Sequence, residues 1–148
     1  MTRHKLFTDG ACRGNPGPGG WGIYWEKPDG KADKLGGGKE QTTNNEMELL
    51  AVVRALEWVE GIDEEIEIHT DSQYVQKGMT EWIQNWQRRG WKTADNKPVA
   101  NRPLWEEILE KTRAHGKKVH WIWVRGHDGN YGNEQADLIA QDYADSIT

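Results

Sequence analysis

"TTNNEMELLAVVRALEWVEGIDEEIEIHTDSQ", residues 42–73, joins a polar opening, an apolar stretch of helical period and an alternating run that ends on Thr70-Asp71. The first part predicts a helix from Asn45 to about Glu60, stopped by Gly61. The second, "EEIEIHTD", alternates at period two and predicts a strand ending at Asp71. Upstream, "HKLFTDG" alternates as well and reads as a strand running to about Asp9, closed by the same Thr-Asp pair. Both apolar strands therefore end on a carboxylate. If they are parallel neighbours, Asp9 and Asp71 stand side by side at one sheet edge, where open α/β sheets place their ligands.

The rest of the chain extends this frame. "CRGNPGPGG" (12–20) is a rigid loop, "WGIYWEK" (21–27) a second strand, "PDG" a turn and "KADKLGGGKE" (31–40) a weak third strand, together an antiparallel meander. Beyond Asp71, "SQYVQKGM" and "EWIQNWQRRG" predict short helices broken at Gly78 and Gly90, and "WKTADNKPVANRP" a loop. "LWEEILEKTRAHG" predicts a helix, "KKVHWIWVRG" a strand, "HDGNYGN" a flexible loop and "NEQADLIAQDYADSI" a closing helix. Three strands followed by alternating helices and strands give an α/β fold, a mixed sheet flanked by helices. Its 148 residues have the length of one domain with a sound core. Nine tryptophans stand against one phenylalanine, and Trp21, Trp25, Trp121 and Trp123, all in strand-like runs, read as sheet packing.

Composition narrows the setting. The longest aliphatic run, "LLAVV", is too short to cross a membrane, and "MTRHKLFTDG" lacks a signal-peptide pattern. The single cysteine, Cys12, rules out an internal disulfide and suits a reducing compartment, so the expected place is the cytoplasm. The net charge of −5 argues mildly against a nucleic-acid partner, yet it is unevenly spread. Residues 82–102 hold five cations against Asp95 alone, a net +4 that leaves −9 for the remainder.

Two bare carboxylates side by side repel unless a cation joins them, and a hard ion such as Mg²⁺ takes oxygen ligands of this kind. Asp after Thr before Gly or Ser is also ordinary turn and cap chemistry, so spacing alone leaves both readings open. The helix sharpens the matter. Glu46 and Glu48 are two residues apart and point about 200° apart around the axis, so they cannot serve one site together. Glu48 shares its face with Val52, Ala55 and Val59. A carboxylate on that apolar stripe costs energy unless it is paired or metal-bound. Glu46 sits in the first turn, where the helix dipole favours an acid anyway. In the last helix Asp137 reads as an acid just inside the first turn, with Glu134 three residues before it, which dipole complementation alone would explain.

The motifs "FTDG", "GNPGPGG", "TTNNEMEL", "TDSQYV", "WIQNWQRRGWKTADNKPV", "WVRGHDG" and "NEQAD" occur in register along the chain and together resemble bacterial ribonuclease HI, of the type 1 ribonuclease H family. The resemblance implies a ribonuclease H-like fold with a five-stranded mixed sheet, a single domain over 1–148, and a basic handle at about 82–102. It implies an endonuclease that hydrolyses the RNA strand of RNA–DNA hybrids, leaving 5′-phosphate and 3′-hydroxyl ends. Asp9, Glu48, Asp71 and Asp137 would hold two Mg²⁺ ions, with Mn²⁺ as a substitute, in two-metal phosphodiester hydrolysis. His127 would assist proton transfer or product departure. Asn15, Asn44, Asn45 and Gln73 match positions that meet the hybrid backbone and minor groove, where 2′-hydroxyls mark RNA. Their ordinary roles would be a turn for Asn15 and helix capping for Asn44 or Asn45. Arg88, Arg89, Lys92 and Lys97 would meet DNA-strand phosphates, Trp82 and Thr43 line the DNA channel, and Asn101 stand near a phosphate pocket. Trp86 and Trp91 could equally pack the handle onto the domain.

Gln41, Gln87 and Glu46 depart from the family by replacing basic residues, which predicts weaker hybrid binding or a steeper need for Mg²⁺. The partner expected is an RNA–DNA hybrid duplex, met by a monomer with no membrane role. Two other readings stand beside the enzyme: a non-catalytic hybrid-binding module, and an integrase-like or resolvase-like DNA nuclease. The four acids disfavour the first; the handle and the amides of "TTNNEMEL" disfavour the second.

Overall fold

The computed structural model describes residues 3–125 and 129–147. Three antiparallel strands open the chain: β1 (His4–Cys12), β2 (Gly17–Glu26) and β3 (Ala32–Thr42). Helix α1 (Asn44–Trp58) leads to β4 (Ile66–Thr70), which lies parallel to β1. A short helix α2 (Gln73–Lys77), a π-helical turn (Gly78–Trp82) and α3 (Ile83–Arg88) follow. The chain then runs through α4 (Arg102–His115), strand β5 (Val119–Trp123) and α5 (Tyr131–Ser146). The sheet order is β3-β2-β1-β4-β5, with β5 parallel to β4. The α/β expectation holds, with a five-stranded mixed sheet.

Helices cover both faces. Leu6, Ile23, Ile66 and Ile68 of the sheet meet Met47, Leu49, Val52 and Leu56 of α1 and Trp105 and Ile108 of α4 in the main core. On the opposite face α5 lays Ala136, Ala140 and Ala144 against β1 and β2, with Phe7 and Tyr24 buried beside them. Because β2 is covered on both sides it is buried at nearly every position. Trp21 and Trp25 are core residues; Trp121 and Trp123 stack on each other at 5.8 Å and reach the core edge half-exposed.

Three local expectations change. First, β1 does not stop at Asp9. Its parallel pairing with β4 ends at Thr8↔Thr70, but β2 continues to pair with it as far as Cys12. Correspondingly β2 starts at Gly17, inside the stretch read as loop. Second, the helix after Ser72 is not broken at Gly78. The chain stays helical through a π turn because the missing side chain makes room for the Trp105 indole, which would lie 2.0 Å from a Cβ there. Third, α5 begins at Tyr131, capped by Asn130, so Asp137 lies in its second turn. Dipole complementation therefore does not account for Asp137.

Candidate active site

The parallel register carries the first two carboxylates. Thr8 pairs with Thr70, so the next residues, Asp9 and Asp71, emerge side by side where β4 ends and β1 goes on. Ser72 then caps α2, accepting from the Val75 N–H at 3.2 Å, which turns the chain away and leaves Asp71 half-buried at the edge. Asp9 itself is only 5 % exposed.

Glu48 joins them because α1 comes unusually close. A Cβ on Gly10 would lie 2.5 Å from the Glu48 backbone nitrogen, so only glycine lets the first turn of α1 rest on β1. Read along the sequence, Gly10 was no more than a turn signal. Met47 and Leu49 on either side are fully buried, while Glu48 is half-buried and directed at the aspartates. One oxygen of each of Asp9, Glu48 and Asp71 lies within 4.8 Å of the others. Burial, then repulsion from Glu48 and Asp71, with Asp137 nearby adding to both, pushes the Asp9 carboxyl up to about 11. Burial and Asp71 push Glu48 up to about 8, against opposing hydrogen bonds from the Asp9 side chain and the Gly10 backbone. Such a cluster of oxygens, charged only at a cost, is a fit donor set for a hard divalent cation.

Asp137 stands beside Asp9 but outside the tight trio. Its Oδ2 accepts from Gln141 Nε2 at 2.8 Å, one turn further along α5. One turn before it, Asn133, 1 % exposed, donates from Nδ2 to Asp71 Oδ2 at 3.5 Å. Neither amide stood out in the sequence; a four-residue spacing from Asp137 was the only trace they left. His127 lies outside the described residues.

The amide group lies along the rim. The helix cap is neither Asn44 nor Asn45 but Thr43, whose Oγ1 accepts from the Glu46 N–H at 3.1 Å. Asn15 reaches across from its loop to accept from the Asn44 N–H at 2.9 Å, which leaves both asparagine side chains of α1 exposed. Gln73 is exposed at the start of α2. Glu46, in contrast, turns back onto β3, accepting from Lys39 Nζ at 3.0 Å and from the Thr42 hydroxyl. Burial raises its pKa, but the hydrogen bonds from Thr42 and Lys39 outweigh that and hold the group below its ordinary value.

The handle is built on an aromatic ladder. Tyr74, Trp82, Trp86 and Trp91 follow one another at ring distances of 6.0, 5.7 and 6.3 Å, and Trp86 also meets the buried Trp105 at 5.4 Å. Trp86 and Trp91 are thus packing residues here, with Arg102 lying over the Trp91 ring. A turn closed by the Thr93 N–H to the Lys97 carbonyl and a bridge between Lys92 and Pro98 complete the loop. Arg88, Arg89, Lys92 and Lys97 are all exposed on it. Asn101 adopts a left-handed conformation (φ 60°) before α4 and donates to the Tyr74 hydroxyl at 3.4 Å.

Comparison with known proteins agrees with this arrangement. The RNase H family model matches residues 1–145. The chain is 50% identical to a Ribonuclease H of Nitrosomonas eutropha, over 99% of this chain and 93% of that one. It is 54% identical to one of Bordetella pertussis, over 92% and 85%. Among solved structures, LC9-RNase H1, described as a type 1 RNase H with the type 2 active-site motif, superposes with a TM-score of 0.84 at 33% identity, covering all of this chain and 74% of that one. LC11-RNase H1, solved with an RNA/DNA hybrid, shares the fold at a TM-score of 0.75 and 23% identity over 97% of both chains. A fold that gathers acids from β1, from α1 and from just past the end of β4 in one cluster, and relatives matching from end to end, lead to one assignment: the chain belongs to the ribonuclease H family of enzymes.

Proposed function

We propose that this chain hydrolyses the RNA strand of RNA–DNA hybrids, leaving 5′-phosphate and 3′-hydroxyl ends. Two Mg²⁺ ions, replaceable by Mn²⁺, would be held by Asp9, Glu48, Asp71 and Asp137. The observation that carries the reading is the trio of carboxylate oxygens within 4.8 Å, whose mutual repulsion is relieved by retained protons in the free protein and by a cation when one binds. A module that merely bound hybrid would gain nothing from that charge next to phosphates. When bound, the ions supply activation of water and stabilisation of the leaving oxygen.

The residues of the chain do the rest. Asp9 and Asp71, fixed by strand register, and Glu48, fixed by the seat of α1 on Gly10, orient the metal-binding oxygens without loop rearrangement. Asn15, Asn44, Asn45 and Gln73 line the rim as short donor–acceptor groups suited to 2′-hydroxyls. Arg88, Arg89, Lys92 and Lys97 face DNA-strand phosphates from the handle at 82–102, with Thr43, Trp82 and Asn101 along the same strand. His127 serves proton transfer or product departure. The unit acts as a single domain over 1–148, as a monomer in the cytoplasm; no helix among the described residues is long and apolar enough to cross a membrane.

The test compares labelled hybrid, double-stranded RNA and double-stranded DNA, each with Mg²⁺ and with EDTA. Cleavage is expected for the RNA strand of the hybrid with Mg²⁺ alone. Cutting of plain DNA, or activity that survives EDTA, would overturn the proposal.

A further inference from the structure

Asn133, Asp137 and Gln141 succeed one another at four-residue spacing on α5, so an amide, a carboxylate and an amide occupy one stripe of the helix, about 6 Å apart along its axis. Both amides donate to acids of the cluster, Asn133 Nδ2 to Asp71 Oδ2 at 3.5 Å and Gln141 Nε2 to Asp137 Oδ2 at 2.8 Å. We propose that Asn133 and Gln141 are positioning residues of the metal site. Each ties down one oxygen of a ligand carboxylate and leaves the other oxygen directed at the cation. The inference rests on the reading of these acids as metal ligands.

The environment of Asn133 argues for such a task. Its side chain is 99 % buried, and its Oδ1 finds no hydrogen-bond partner among the described residues. An orphaned buried acceptor costs about 1–3 kcal/mol, so an apolar side chain would serve α5 better if packing were the only demand. Turning the amide over gains nothing, because its oxygen would then face the Asp71 carboxylate, acceptor against acceptor. The negative charge of the cluster fixes which end points inward. Gln141 is only half-buried and could extend into solvent; it turns back instead onto the one acid that stands outside the tight trio.

The residue type matters as well. A Lys or Arg in either place would make a stronger bond to the carboxylate but would also cancel the field that attracts the cation. A neutral amide restrains rotation and leaves the charge in place. One rigid helix thereby sets the orientation of acids at two points of the cluster: Asp71, just past the end of β4, and its own Asp137.

Calorimetric titration of Mg²⁺ into the substrate-free protein tests this without reference to turnover. Gln141→Leu keeps the volume and removes the donor; it should weaken Mg²⁺ binding about tenfold. Gln135→Leu, on the same helix but off the stripe, should bind as the parent does. Hybrid affinity in EDTA and the melting temperature in EDTA should stay close to the parent for both. Asn133→Ala should weaken Mg²⁺ binding likewise, and its melting curve shows whether it folds. Because that site is buried, ¹⁵N spectra of the parent give a second readout: the side-chain NH₂ signals of Asn133 and Gln141 should both move along the Mg²⁺ titration. Parent-like Mg²⁺ affinity in Gln141→Leu, or amide signals that stay still as the ion binds, overturns the proposal. Failure of the parent to bind Mg²⁺ at all is a different result, which sinks the metal-site reading itself.

Discussion

The carboxylate cluster and the handle are both charged, and they are built on opposite principles. In the cluster, like charges are gathered in a half-dry crevice and held by the least deformable parts of the fold, namely strand register and a helix seated on Gly10. The acids cannot move apart, so without a cation the cost of gathering them is met by retained protons. In the handle the rigidity comes from a run of indoles anchored where Trp86 meets Trp105 edge-on, while the cations stand out in solvent, where screening makes each worth little alone. On the proposed function, one region concentrates charge for an ion of fixed size and the other spreads charge along a polymer of phosphates. Perturbing them should have unlike consequences.

The largest difference concerns chemistry. Glu48→Gln and Asp71→Asn each remove a ligand charge without changing shape, and each should lower cleavage by about 10³-fold or more. Hybrid affinity in EDTA should hardly change, since neither substitution touches the cations of the handle. Single-turnover cleavage and fluorescence anisotropy measure the two. Normal turnover in either variant would remove that residue from the site.

Next comes stability. Asp9 and Glu48 are pushed up to about 11 and about 8, from ordinary values of 3.8 and 4.5. Without metal, the folded chain therefore keeps protons that the unfolded chain has released above about pH 4.5. At these two groups the folded state binds more protons, so their contribution to stability is greatest below that pH and declines as pH rises toward 8. In EDTA the melting temperature should fall between pH 5 and pH 8, Mg²⁺ should restore more of it at pH 8 than at pH 5, and Asp9→Asn should flatten the profile. A melting temperature that climbs over this range would contradict the burial of uncompensated acids. The handle is expected to show none of this behaviour.

The two regions also differed in how far the sequence disclosed them. Alternation and the repeated Thr-Asp ending placed Asp9 and Asp71 together, and helical period set Glu48 apart from Glu46, because side-chain direction follows backbone period whatever the partners are. The limit of β1 is not legible in the sequence, for a physical reason. A strand ends where its neighbours end, and β1 has one short neighbour and one long. The turn that carries Asp137 is not legible either, since the Asn130 cap has no apolar period to mark it. The seat at Gly10 and the amides on α5 are facts of approach between elements distant in sequence, which no local pattern encodes. The handle showed its charge in composition, whereas the ladder that stiffens it depends on Trp86 meeting Trp105, 19 positions later and on another helix. Gly78 looked like a break for the same reason: the ring that fills its space is 27 positions away.

Within the handle the expected effects are smaller and gradual. Arg88→Ala, Arg89→Ala and Lys92→Ala should each weaken hybrid binding a few-fold and lower the slope of log affinity against log salt by about 1 where a phosphate contact is lost. At saturating hybrid the rate of cleavage should stay near that of the parent. Salt titrations of binding measure this, and a lost turnover rate with affinity intact would place the residue at the cluster rather than along the duplex.

The smallest effect belongs to Glu46, and it bears most closely on the contrast, since only Met47 separates it from Glu48. Its charge is already engaged by Lys39 and the Thr42 hydroxyl, which keeps it ionised and partly neutralised at the rim. An exposed pair of this kind contributes about 0–1 kcal/mol, so Glu46→Gln should leave the fold intact. Lys39 would be released toward the cleft it shares with Arg54 and Asn101. Hybrid affinity should therefore rise, by no more than about threefold, with cleavage equal to the parent or slightly faster. A tenfold loss of cleavage would mean that the bond from Glu46 to Thr42 holds the start of α1, and with it Glu48, in place. The boundary between rim and cluster would then lie one turn closer to the surface than the burial of these residues implies.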